Sequence, residues 1–256
     1  MEIQRLEKMS NQVRLKPNYV WKNLHRLLCS EELWIMAYEK QKSYAESLTP
    51  AMDINDIVQG MSLERIRNTI LLLKKDTWKP QIAKQLRITE QEKKRTKTLE
   101  IQNEMDKLTQ GVVLLILQAL YEPSFREYNY GFRPGMGTHD ALQYIERNFQ
   151  GINTVLEGDI KTCYPLMHHS ILMKILKKRI SDNRFLDVIQ KMLKAGVWGI
   201  ETDKLLISNR NTPQGSIVSP MFANIYLHEM DLFIESWYKK NLIPLIEKKN
   251  DYLQLL

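Results

Sequence analysis

The sequence holds only two cysteines, Cys29 and Cys163, far apart in the chain. That spacing makes neither a metal-ligand motif nor a disulfide framework, and it fits a reducing compartment. Long hydrophobic runs are also missing. The longest, Val112 to Leu117, is far too short to span a bilayer, so no membrane is expected as a partner. Met1-Glu2-Ile3-Gln4 has neither the plan of a secretory signal nor a clear transit-peptide composition, which predicts a soluble protein made where it works. There is no internal repeat and no low-complexity tract. With 43% hydrophobic residues, a sizeable core is available and global disorder is excluded.

What is present is a chain of 256 residues, enough for one large domain or two modest ones. Lys and Arg outnumber Asp and Glu by 37 to 30, and the isoelectric point is near 9.2. The excess makes a polyanion a plausible partner, although charge alone is weak evidence.

Residues 1–20 are polar and mixed in charge and read as a loose arm or a poorly packed helix. Residues 20–42 repeat apolar side chains at helical spacing, as one amphipathic helix or two with a break near Ser30. Ser62 is placed to cap a helix over 63–75 with Leu63, Ile66, Ile70 and Leu73 inward. From Lys74 to Lys97 the chain turns strongly basic, interrupted by Trp78 and Leu86-Arg87-Ile88. This stretch is either a solvated face or a short β-ribbon that tracks a phosphate backbone. Lys84, Arg87, Lys93, Lys94 and Arg95 are its candidate RNA contacts.

Met105–Leu120 is apolar enough to be buried, and Glu122-Pro123 ends it. Thr138 caps a helix over His139–Phe149, with Leu142 and Ile145 inward. Residues 154–160 read as a strand that delivers Asp159, with Tyr164 five residues on. Helices follow over His169–Ile180 and Phe185–Lys194, the second stopped by Gly196. Val197–Asn209 reads as a hairpin turning near Glu201-Thr202-Asp203, and 212–220 as a Gly/Ser/Pro loop. Ser219 and Pro220 then start an amphipathic helix over Met221–Tyr238, with Phe222, Ile225, Tyr226, Met230 and Phe233 inward. A mostly helical first half and an alternating second half make the class α+β. A soft boundary falls between Lys97 and Met105.

Three segments, in this order, resemble the reverse transcriptase domain of group II intron-encoded proteins, the intron maturases. The first is Leu120-Tyr121-Glu122-Pro123-Ser124-Phe125, followed by Tyr130-Gly131-Phe132-Arg133-Pro134-Gly135 and His139-Asp140-Ala141-Leu142. The second is Asp159-Ile160-Lys161-Thr162-Cys163-Tyr164. The third is Thr212-Pro213-Gln214-Gly215-Ser216-Ile217-Val218-Ser219-Pro220, followed by Ala223-Asn224-Ile225-Tyr226-Leu227. Trp21–Tyr38 and Met61-Ser62-Leu63-Glu64-Arg65-Ile66 also look like that family's N-terminal fingers extension.

The resemblance implies a right-hand polymerase fold, with helix-rich fingers and a truncated palm sheet. It divides the chain into an arm (1–19), a fingers-like region with the basic ribbon (20–104), the fingers and palm of the reverse transcriptase domain (105–238) and a divergent tail (239–256). It makes Asp159 the catalytic position and the first ligand of Mg²⁺. It puts Ile160, Tyr164, Gln214, Gly215 and Lys97 at the nucleotide, with Tyr164 as the aromatic that selects deoxynucleotides. Arg133 and His139 are further expected RNA contacts, and the Gly135–His139 region is expected to meet RNA backbone. Taken without the resemblance, an Asp ending a strand is an ordinary cap, and a Pro-Gln-Gly-Ser loop an ordinary turn.

The sequence also departs from the family pattern. It contains no adjacent Asp-Asp pair, where the family carries Tyr-Ala-Asp-Asp. One carboxylate does not hold two Mg²⁺ ions about 3.5–4 Å apart. Glu90 stands where a cation is expected, Lys97 where the family has Arg, and Pro165 where it often has Asp.

The leading expectation is therefore an RNA-binding, maturase-like protein that assists group II intron folding and splicing without polymerase activity of its own. The alternatives are an RNA-directed DNA polymerase completed by a second protein chain, and a non-catalytic scaffold. A mitochondrion or chloroplast is the expected location, with a bacterial cytoplasm as the alternative.

Overall fold

The computed structural model describes residues 1–42, 62–90, 95–152, 154–155, 157–161, 163–199, 204–206 and 216–241. Helix α5 (Glu104–Tyr121) runs through the middle, and nearly all of its residues are buried. Leu108, Val112, Val113, Ile116, Leu117 and Leu120 make one broad apolar face, and Gln110, Gly111, Leu115 and Tyr121 on the opposite side are buried as well. Its polar first turns are buried as well, but they are satisfied. Asn103 Oδ1 accepts from Met105 N at 2.8 Å, Asp106 Oδ2 accepts from Gln81 N at 2.7 Å, and Lys107 pairs with Glu104 at 2.9 Å.

Around α5 pack α1 (Glu2–Leu15), α2 (Leu24–Leu28) and α3 (Glu31–Lys42). The first of these corrects the expectation of a loose arm or poorly packed helix. Leu6, Met9 and Val13 enter the core, and Ser10 Oγ donates to Ala119 O at 3.1 Å. Glu32 on α3 accepts from the amides of Glu2 and Ile3, which no side chain of α1 itself caps. The expected break near Ser30 is present, between α2 and α3. Where α3 crosses α5, a Cβ on Gly111 would lie 2.5 Å from Gln41 Nε2 and 3.3 Å from Ala37 Cβ, so this glycine sets the helix spacing.

Helix α4 (Leu63–Lys74) starts as expected, with Ser62 Oγ accepting from Arg65 N at 3.3 Å. Leu63, expected inward, is exposed, and Thr69 is buried instead. The basic stretch forms a ribbon, β1 (Ala83–Glu90) antiparallel to β2 (Arg95–Ile101). Ala83 and Lys84 also pair in parallel with β3 (Val197–Gly199), which pairs antiparallel with β4 (Lys204–Leu206). The sheet order is β2-β1-β3-β4. The hairpin expected over Val197–Asn209 is thus present in β3 and β4. Its turn near Glu201-Thr202-Asp203 lies outside the described residues.

After α5, a 3-10 turn (Glu122–Ser124) takes the chain to α6 (Thr138–Asn148), the short α7 (Cys163–Leu166), α8 (His169–Arg179), α9 (Asn183–Leu193) and, after the sheet, α10 (Ser219–Asn241). Asp182 caps α9 with Oδ1, accepting from Arg184 N and Phe185 N at 3.1 Å each. Its Oδ2 accepts from His25 N at 2.8 Å, which joins α9 to α2. Helix α10 begins at Ser219 itself, one residue before the expected start, within the usual uncertainty of helix ends.

Three expectations fail for one reason. Leu142 on α6 is 57% exposed and Ile145 is exposed beside it; Met230 is exposed and Phe233 on α10 is 67% exposed. Residues 154–155 and 157–160 form no strand. Periodicity shows that a segment has an apolar face or an extended preference. Burial and a β-ladder also require a neighbour over that face, and among the described residues none covers Leu142, Ile145, Met230 and Phe233 or pairs with 157–160.

Candidate nucleic-acid interface

The ribbon register places Lys84, Lys97 and Arg95 in one alternating set, through Lys84↔Ile101, Ile88↔Lys97 and Glu90↔Arg95. Arg87, paired with Thr98, falls in the other set. The basic residues therefore fall in both alternating sets of the register rather than in one. Lys93 and Lys94 lie outside the described residues. The ribbon is fixed at its base by Ala83 N, which donates to Gly196 O at 3.1 Å.

Arg133 departs most clearly from its expected role at RNA. Its side chain is 7% exposed. Nε donates to Glu122 Oε1 at 2.7 Å, and Nη1 donates to the carbonyls of Arg126 at 2.7 Å and Asn129 at 2.8 Å. The guanidinium also lies 5.6 Å from the Phe125 ring centre. These bonds clamp a turn in which Phe132 is held at φ 54° and Gly135 at φ 70°. A left-handed phenylalanine is unfavourable unless its surroundings over-determine it. The rest of the turn is tied to α10. Asn224 Nδ2 donates to Gly131 O at 2.7 Å, and Glu235 accepts from Tyr128 OH and Arg126 Nη2. The Tyr128 hydroxyl, first among several donors and cations, holds the Glu235 carboxyl below the usual range. His139 is exposed on the first turn of α6, next to Gly137, whose N–H donates to Asp140 Oδ2 at 2.8 Å.

Asp159 and Ile160 are exposed on an irregular segment that runs into α7. Tyr164, on α7, is half-buried against the core, and burial raises its hydroxyl pKa. Among the described residues no group of three His, Cys, Asp or Glu side chains could hold a metal ion. Asp159 therefore belongs to no such group among them.

Gln214 and Gly215 lie outside the described residues. The anchor of their loop is visible. Buried Gln110 on α5 accepts from Ser216 Oγ at 2.9 Å and Ile217 N at 3.1 Å, and donates through Nε2 to Gln102 Oε1 at 2.7 Å. Sequence reasoning missed Gln110. Its signal was a carboxamide at a core-facing position of an otherwise apolar helix, where a polar group must find partners.

A helical fingers region carrying a two-stranded basic ribbon, joined through a small mixed sheet to palm helices, is the arrangement of a right-hand polymerase. A family model described as reverse transcriptase (RNA-dependent DNA polymerase) matches residues 74–244. The chain is 35% identical over 229 residues to the group II intron-encoded protein LtrA of Lactococcus lactis subsp. cremoris, covering 90% of this chain and 38% of that protein. It is 36% identical over 236 residues to an uncharacterized 91 kDa protein in cob intron of Schizosaccharomyces pombe, covering 91% of this chain and 29% of that one. Among solved structures, a partial Cas6-RT-Cas1–Cas2 complex aligns with a TM-score of 0.54 at 20% identity, over 84% of this chain and 35% of the other. That last likeness establishes the fold alone. The chain belongs to the reverse transcriptase family, in its group II intron-encoded, maturase-like branch. It spans 38% of the length of the lactococcal relative.

Proposed function

We propose that this chain is an RNA-binding, maturase-like protein that helps a group II intron fold and splice, and that these 256 residues alone do not polymerise DNA. What carries the reading is the 35% identity to a group II intron-encoded protein across 90% of the chain. It is joined to a sequence with no adjacent Asp-Asp pair. Basic β1 and β2 meet RNA backbone by charge and shape, and the intron RNA supplies the splicing chemistry. Two assays test this. Primer extension with Mg²⁺ and dNTPs is expected to yield no cDNA from this chain alone. Binding at physiological salt is expected to favour group II intron RNA over unrelated RNA of equal length. Robust cDNA synthesis, or equal affinity for both RNAs, overturns the reading.

A second reading, a polymerase completed by another chain, is favoured by one observation. The distal half of α10 exposes Phe233, Ile234, Trp237 and Tyr238, an apolar face suited to a further palm segment. In that case Asp159 would supply one Mg²⁺ ligand and the partner the others. Co-expression of the partner should then give activity that Asp159→Ala abolishes. Activity indifferent to that substitution rules the reading out. A mitochondrial or chloroplast location is favoured by the likeness to a mitochondrial protein of Marchantia polymorpha, and the lactococcal relative favours the alternative, a bacterial cytoplasm.

A further inference from the structure

We propose that the cleft between α1, the Glu122–Ser124 turn, α8 and α10 binds a phosphate-bearing anion. The cavity there has a volume of about 670 Å³ and is lined by Arg14, Arg126, Lys178 and Arg179, with Tyr121 in its wall and His228 beside them. Two of these cations are matched by carboxylates: Lys178 by Glu229 and Arg126 by Glu235. Among the described residues Arg14 and Arg179 have no ion pair.

Arg179 is the centre of the site. Its Nη1 donates to Ser124 Oγ at 2.8 Å, and its guanidinium lies 5.0 Å from the Tyr121 ring centre. Its Nε and Nη2 are buried and have no acceptor among the described residues. Arg126 Nε and the hydroxyl of Tyr121, a residue only 3% exposed, are in the same position. Arg179 also closes α8, and a cation is favourable at a helix C-terminus. That accounts for its charge but leaves Nε and Nη2 unbonded among the described residues, and buried donors are ordinarily paired.

The unbonded polar atoms of the lining are nearly all donors, and two of its four Lys and Arg side chains have no ion pair among the described residues. The complementary ligand is an oxyanion with several acceptors. Phosphate offers more acceptors than a carboxylate and matches the planar fork of arginine. The parallel bridge between Trp21 and Ile180 holds the cleft in register, with Trp21 N donating to Arg179 O at 2.7 Å. The ligand is either a free phosphate, such as that of a nucleotide, or a phosphodiester of bound RNA.

The test is thermal unfolding of the full chain in inorganic phosphate against chloride at matched ionic strength. Phosphate is expected to raise Tm in a saturable way. Arg14→Gln, at an exposed position of α1, is expected to weaken the apparent phosphate affinity by about tenfold. Tyr121→Phe keeps the ring under Arg179 and should also reduce the phosphate response. Adding a short single-stranded RNA then identifies the source. If RNA abolishes the phosphate shift and Arg14→Gln lowers the salt slope of RNA binding by about one, the ligand is the RNA backbone. If the shift survives saturating RNA, it is a free phosphate. No Tm difference between phosphate and chloride overturns the proposal, as do both variants responding to phosphate like the parent. The phosphate arm needs no RNA, so its outcome is separate from the maturase reading.

Discussion

Arg133 sits in a Tyr-Gly-Phe-Arg-Pro-Gly segment rich in features of a binding loop, yet its nitrogens hold Glu122 and two carbonyls. Arg133→Ala should therefore act on stability. It leaves a partly buried carboxylate and two carbonyls without their donor, and the loss should be about 3 kcal/mol by urea unfolding. A variant of unchanged stability with weakened RNA binding would return Arg133 to the interface. Two histidines set a second expectation. Burial, above all other causes, lowers the His25 and His228 imidazoles below the usual value. As pH falls through about 6.5 the unfolded chain takes up protons that the folded chain does not. Stability should decline from pH 7.5 to 5.5 and level off once the folded state is protonated too. His25→Asn should flatten that slope in urea titrations.

Among the elements, the joints between helices matter more than the helices themselves. Asp182 caps α9 and also binds the amide of His25 in α2, two elements far apart in sequence. Asp182→Ala should cost about 2 kcal/mol, the upper range for a helix cap, because a second element loses its acceptor as well. Asp182→Asn should cost less, since one amide oxygen can still cap α9. Comparison of the two midpoints in urea checks this. The ribbon of β1 and β2 has a similar dependence. Among the described residues only Ala83 and Lys84 pair with the rest of the sheet, so its far end extends beyond the paired base.

For the whole molecule the relevant quantities are charge and uncovered surface. A net charge of +7 favours RNA, and the logarithm of the binding constant should fall linearly with the logarithm of salt concentration. Changing Lys84, Arg87 and Lys97 together to Gln should reduce the slope by about two, at roughly 0.7 per contact for a single strand. An unchanged slope would place the RNA away from the ribbon. The exposed faces of α6 and distal α10 are the larger departure from an ordinary globule. Leu142, Ile145, Phe233 and Trp237 are apolar side chains that no described residue covers.

Local chemistry carried much of this protein into its sequence. The cap at Ser62, the break at Ser30, the buried α5, the basic ribbon and the hairpin of β3 and β4 follow from hydrophobic period, capping residues and charge, all properties of neighbours in the chain. The ordered motifs through Tyr164 and Ile217 carried the family in the same way. Only tertiary structure decided which apolar faces are covered, that Arg133 is a clamp, that Gln110 anchors Ser216, and that Arg179 lies over the Tyr121 ring with no ion pair among the described residues. Those outcomes depend on groups that meet only when distant segments pack, and no periodicity records which partner a side chain will find.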